Sequence, residues 1–408
     1  MKKLFALGAI GALALGMAAC TDKKGNAIHL VYSGTGSDRE FNESLFEKFK
    51  EARKEAGDTN EYVIEYVEHG PDKVDSEITD WTTGPDVYEF ASDKIGVLYG
   101  KGALAKITGA NASYITSETN SFGQTMAKFA GDYYGYPWTG DNTYYVQYDK
   151  SRLTADDVKT MQGLLDKAQS IGAKVGYNLP EAFWGGAAMF TFGADYEVTY
   201  NSDGAVTSVT ADFDGEKGQK AASAIYDIVK HPAWSKDTVA PTADSGFVAC
   251  IAGTWDIASY KTALGSNYGC AVMPTVTVDG ETKNLGAFVG GKLFGVNPQR
   301  SQMDTDRLVA AHELAKFLSN EECQLERFTK NGIGPCNKNV ANSATVKADE
   351  NQVVLAAQLE FAHPQDAVPG NFWTAPGTLI NGMIDGSITK ADLATACKSF
   401  NDTVKASS

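Results

Sequence analysis

Short apolar runs alternate with amphipathic helical segments along almost the whole chain, and this alternation most restricts the fold. Residues 28–32 form a compact apolar strand that enters the turn-rich stretch Ser33-Gly34-Thr35-Gly36-Ser37-Asp38. Phe41, Leu45, Phe46 and Phe49 then recur at helical spacing. Further strands are predicted at residues 62–67, 87–90 and 144–148, with helices starting at Asp93 and spanning residues 154–171. Later come a buried strand at 247–252, another at 268–273 stopped by Pro274, and a hairpin turning at Asp279-Gly280. Residues 308–318 read as an amphipathic helix, and Asn320 and Gly332 bound the next one. Strands alternating with helices predict parallel sheets covered on both faces, an α/β architecture. No fixed-period repeat or low-complexity tract interrupts the pattern.

The N-terminus carries a different signal. Lys2 and Lys3 precede an uncharged apolar run over residues 4–19, which describes a secretory leader. The run is shorter than the roughly 20 residues that span a bilayer. Ala18-Ala19-Cys20 closes it in the manner of a bacterial lipobox, with Met17 where leucine is usual. The expectation is a leader at 1–19, a lipidated Cys20 as mature N-terminus, and a polar tether at 20–27. Two acyl chains would be needed for stable anchoring at the outer face of the membrane.

Formal net charge is −15, and two units more negative without the leader's lysines. That balance argues against nucleic acid, whose binding requires basic patches. It also leaves membrane contact to the lipid alone. A mature length of about 390 residues suggests two domains.

The residues give little support to an enzyme. His29, His69, His231, His312 and His363 are scattered, and His312-Glu313 lacks the second histidine of a zinc-protease helix. No Gly-x-Ser-x-Gly elbow or P-loop occurs, and no two cysteines show metal or redox spacing. No metal or cofactor is expected. An exported glycoside hydrolase stays open, since any two of the chain's 51 acids could flank a bond. So does a surface adhesin or sensor accessory protein.

One set of motifs has a familiar order. Gly84-Pro85-Asp86-Val87 runs to Leu104-Ala105, and Gly135-Tyr136-Pro137 leads to Tyr148-Asp149-Lys150. Gly253-Thr254-Trp255, Val272-Met273-Pro274, Phe288-Val289-Gly290-Gly291 and Asn331-Gly332-Ile333-Gly334-Pro335 follow. In this the chain resembles the extracellular solute-binding proteins of ATP-driven sugar importers, of the maltose/maltodextrin-binding type. The resemblance implies a two-lobed, periplasmic-binding-protein-like fold with a hinge and a ligand cleft between the lobes. The first lobe would hold residues 28–138 and 290–335, the second 139–289 and 336–408. Implied partners are a mono- or oligosaccharide and the importer's membrane subunits, for a protein acting as a monomer.

A sugar presents an apolar C–H face and a rim of hydroxyls, which call for aromatic rings and for carboxylates or amides. The family places a stacking tryptophan in the Gly-Thr-Trp motif, here Trp255, and an aromatic near Trp373. These two are expected to carry most of the binding. Phe90, with Asp93 and Lys94, matches an aromatic followed by a hydroxyl-binding Asp–Arg pair, lysine replacing arginine and losing its fork. Trp138 and Asp141, with Asn142 as the near alternative, fall at the first passage between lobes. Trp184, Tyr32, Thr35 and the Gly290-Gly291 turn complete the candidates, although a large aromatic is more often core. Trp81 and Trp234 are read as structural or exposed. Family topology would bring the strands of Cys250 and Cys270 close together, so that a disulfide becomes feasible. Cys323 and Cys336 form the other candidate pair, and buried free thiols are the alternative.

Overall fold

The structure, a computed structural model, describes residues 27–201, 205–300, 304–365 and 368–406. The leader and Cys20 lie outside the described residues. Two mixed sheets organise the chain. The first runs His363–Pro364, Phe288–Val296, Val87–Ala91, Ala27–Gly34, Glu61–Glu68, and Tyr136–Asn142 also pairs with Phe288–Val296. The second runs Trp234–Ser235, Lys174–Gly176, Phe247–Gly253, Tyr144–Asp149, Tyr268–Ala271.

Each sheet has its own core. Leu45, Phe46 and Phe49 of helix Arg39–Glu55 pack with Leu314 and Leu318 of helix Thr305–Leu318 against the first sheet. Trp81, Tyr88, Phe90 and Leu293 fill a further first-lobe cluster. Leu164, Ile225, Ile251, Leu379 and Phe400 belong to the core of the second lobe. Burial of these side chains drives the two-lobed arrangement, at about 25 cal/mol per Å² of apolar surface.

The sheets are mixed where the sequence pattern predicted parallel ones. Ala27–Gly34 does pair in parallel with Glu61–Glu68 and Val87–Ala91. Phe288–Val296, however, runs antiparallel to Val87–Ala91, and Tyr144–Asp149 antiparallel to Phe247–Gly253. The reversed strands are those adjoining passages between lobes, so each enters its sheet from the other lobe rather than through a helical crossover.

Helix limits follow local chemistry. Thr160 accepts a hydrogen bond from Gly163 N, so that helix is Met161–Ser170 and not the longer predicted span. Asn320 caps Glu321–Asn331 by accepting from Cys323 N at 2.8 Å, and Gly332 ends it at φ +70°. Asp279 and Gly280, with φ of 51° and 79°, form the expected tight hairpin turn between Thr275–Val278 and Glu281–Asn284.

The passages between lobes are tied to one another. Thr143, between Tyr136–Asn142 and Tyr144–Asp149, donates its hydroxyl to Phe288 O at 2.6 Å. Asp141, on the same passage, accepts from Thr139 Oγ1 and from Gly334 N, beyond helix Glu321–Asn331. Asn351 accepts from Tyr145 and Tyr268 hydroxyls, which docks helix Glu350–Gln358 on the second sheet.

Among the described residues no cysteine pair is bonded: Cys250, Cys270, Cys323, Cys336 and Cys397 are free thiols. Cys250 and Cys270 both pair with Gln147, one from each side of its strand. Two strand spacings of about 4.8 Å separate them, beyond the roughly 7 Å that a disulfide can bridge. Cys323 and Cys336 belong to different core clusters.

Candidate functional site

Two hollows of about 490 and 500 Å³ lie side by side between the lobes. Thr35, Asn142, Trp255 and Lys292 line both, so they form one continuous cleft. The first hollow adds Asp38, Trp138, Thr139, Asp141 and Ile333; the second adds Asp93, Lys94, Glu181, Phe183, Gln365 and Trp373.

Trp255 is 55% exposed, directly after the strand Phe247–Gly253. Its indole lies back over Gly253: a Cβ there would sit 2.1 Å from Trp255 Cε2. Thr254 anchors the turn, its N–H on Thr143 O at 3.1 Å and its hydroxyl on Asp141 O at 2.6 Å. Phe183 and Trp184 stand 6.0 and 6.1 Å from the Trp255 ring. Trp373 packs on Phe288 at 5.9 Å. Aromatic surface thus faces the cleft from the second lobe.

Polar groups gather on the opposing first-lobe wall and at the passages. Asn142 donates to Gln365 Oε1 at 2.8 Å. Asp93 is buried, its Oδ2 3.5 Å from Lys94 Nζ and its Oδ1 without a partner among the described residues. Loss of hydration raises the Asp93 carboxyl to about 6, against the pull of Lys94. Burial also raises the Asp141 carboxyl, opposed by its bonds from Thr139 and Gly334. Glu181 is raised by burial as well. Among the described residues, no group of three or more histidine, cysteine or acidic side chains could hold a metal ion.

Of the residues singled out in the sequence, the cleft gathers Trp255, Trp373, Asp93, Lys94, Asp141, Asn142, Thr35 and, by one edge, Trp138. Trp138 is only 2% exposed, stacked on Phe294 at 5.5 Å with the Arg327 guanidinium 4.8 Å from its ring. Phe90 and Tyr32 do not reach the cleft. Phe90 is fully buried beside Tyr88, and Tyr32 is fully buried with its hydroxyl donated to Glu89. Both strands are covered on either side, so the end of a strand is not its surface. Trp184 is core, 4.3 Å from Tyr144, and backs Trp255 from beneath. Gly290 and Gly291 permit close packing instead: an added Cβ would lie 2.9 Å from Gln365 Oε1 and 2.2 Å from Thr139 O respectively.

Sequence reasoning missed Lys292 and Gln365, and passed over Phe183 for its neighbour. Lys292 and Gln365 enter the cleft only through long-range strand pairing, which no local motif announces. Phe183 was adjacent to the chosen Trp184, and helical phase at Ala182–Ala188 decides between them.

Comparison with known proteins agrees with this geometry. The profile of the bacterial extracellular solute-binding proteins matches residues 44–353. The maltodextrin-binding protein MdxE of Bacillus subtilis (strain 168) is 26% identical, over 95% of this chain and 93% of its own. A structure solved with acarbose superposes with a TM-score of 0.79 at 27% identity, over 92% of this chain and 98% of its own. The unliganded maltodextrin-binding protein of L. casei BL23 gives 0.78 at 22% identity, with the same coverage. This chain therefore belongs to the bacterial extracellular solute-binding proteins, and its similarity is to their maltose/maltodextrin-binding members.

Proposed function

We propose that this protein captures a sugar or oligosaccharide in the interlobe cleft and delivers it to an ABC importer, tethered outside the membrane through a lipidated Cys20. The observation that carries the reading is that the aromatic side chains Trp255, Phe183 and Trp373 line the same hollow as the polar side chains Asp93, Asn142 and Gln365. Rings cover the C–H faces of a pyranose while Asp93 and Asn142 satisfy its rim. The names of the similar proteins point to maltodextrins as the first ligands to try. Hinge bending about the tied passages would bring the walls together on the ligand.

Isothermal titration with maltose to maltotetraose is expected to show saturable one-to-one binding. Chromatography of the sugar afterwards should recover it intact; released product would make the protein an enzyme instead. Intact mass of membrane-extracted protein should show an acylated chain beginning at Cys20, and an unmodified soluble form would remove the anchor.

A further inference from the structure

Lys292 occupies a position that none of the motifs explains. Its strand, Phe288–Val296, lies between two others, with Lys292 opposite Thr139 on one side and Ala91 on the other. Thr139 lines the first hollow and Ala91 the second, so Lys292 rises from the floor where the two meet. Its Nζ stands 5.8 Å from the Trp138 ring and forms no ion pair or hydrogen bond among the described residues. Lys94, by contrast, lies within 4 Å of both Asp75 and Asp93.

The two acids that feel the Lys292 charge, Glu89 and Asp141, make no direct bond to it, although Glu89 Oε2 has no hydrogen-bond partner among the described residues. Asp141 accepts from Thr139 and Gly334, and Glu89 accepts from Tyr32 and Asn42. Its three ammonium N–H groups make no bond within the described residues, and the side chain borders both hollows, where ligand oxygens can accept from it. A half-buried, unpaired ammonium is costly unless something there accepts from it. An anion is a poor fit, because Asp38 and Asp141 flank it in the first hollow and Asp72, Asp93 and Glu181 in the second. A neutral chain rich in oxygen acceptors suits that surrounding.

We infer that Lys292 is a specificity-determining residue, which donates to ligand oxygens where a neutral oligosaccharide passes from one hollow into the other. A single sugar unit occupies part of one hollow without being held across the junction, whereas a longer chain must cross it beside Lys292. This rests on the sugar-binding reading above.

The test titrates wild type, Lys292→Met and Lys292→Gln with glucose, glucuronate and maltotetraose. Methionine keeps the length of the side chain and removes the donors. Maltotetraose affinity is expected to fall roughly ten- to hundredfold in both variants, the range of a lost charge-assisted hydrogen bond. The unfolding temperature of the ligand-free Met variant should change little, since Lys292 makes no direct bond within the described residues and acts on Glu89 and Asp141 only through its charge. Wild type that binds maltotetraose with both variants within twofold of it would overturn the role of Lys292 and leave sugar binding intact. An equal fractional loss for glucose would overturn the junction role, and glucuronate binding more tightly than maltotetraose would overturn the neutral ligand. Wild type that binds none of the three would overturn both readings.

Discussion

The indole of Trp184 meets that of Trp255 edge-on, their centroids 6.1 Å apart and their planes inclined at 66°. One ring is 9% exposed and the other 55%, so a core residue supports a cleft residue. The two should respond differently to truncation. Trp255→Ala removes a ring that does little in the empty protein but would cover 60–100 Å² of ligand. At 25 cal/mol per Å² this costs about 1.5–2.5 kcal/mol of binding, roughly a tenfold to seventyfold loss, with little change in stability. Trp184→Ala opens a cavity beneath it and should lower stability by about 3–5 kcal/mol. Parallel ligand titration and urea unfolding check the pair. Equal stability losses would place both rings in the core.

Gly253 is the hinge pin of that arrangement for a steric reason. Its φ of −67° suits any residue, yet an added Cβ would collide with the Trp255 ring. Gly253→Ala should therefore fold, push the indole off its seat and weaken binding about as much as Trp255→Ala does. Tryptophan fluorescence of the ligand-free variant should shift as well. Wild-type affinity in Gly253→Ala would show that the seat of the ring is unimportant.

Much of the architecture could be read in the sequence because it rests on local signals. The Asn320 cap, the Gly332 stop and the Asp279-Gly280 turn each act within a few residues. Trp255 was legible for the same reason, projecting from a glycine turn after a buried strand. The errors share a physical cause. Val87–Ala91 is buried at every position, so Phe90, a candidate only through the family resemblance, packs into the core with the rest of its strand. Lys292 is one charge in an otherwise buried strand, given its place by pairing with residues about 150 and 200 positions earlier.

The five described thiols should all react with iodoacetamide after denaturation without reductant. In the folded protein they should be slow, for two reasons. Cys250, Cys323, Cys336 and Cys397 are buried, leaving Cys270 the most accessible. Burial also raises their ionisation, Cys250 and Cys397 to about 11 and Cys270 and Cys323 to about 12, so little thiolate forms near neutrality. Peptide mapping that finds any of these cysteines protected after denaturation would indicate a disulfide.

Asp93 makes both stability and binding depend on pH, with a sign fixed by its surroundings. Burial raises its carboxyl to about 6, Lys94 opposing and Asp75 reinforcing the shift. Because the folded value exceeds the unfolded one, folding favours the protonated acid. That contribution is fully present below about pH 4 and is lost as pH rises through about 6. Asp93→Asn is neutral at every pH and nearly the same shape. It should therefore be more stable than the parent at pH 7.5, by up to about 3 kcal/mol for a two-unit shift, and the gap should close below pH 4. The change deprives Lys94 of one partner while Asp75 remains at 3.9 Å, which trims the gain. Binding should run the other way. Asp93 lines the second hollow, and a sugar hydroxyl donated to its carboxylate favours the ionised form. Affinity of the parent should then fall as pH drops below about 6, while that of Asp93→Asn stays flat and lower. Thermal unfolding and ligand titration of both proteins from pH 4 to 8 read the two effects separately. A stability difference that does not vary with pH would mean that Asp93 is ionised throughout and that its burial costs the fold nothing.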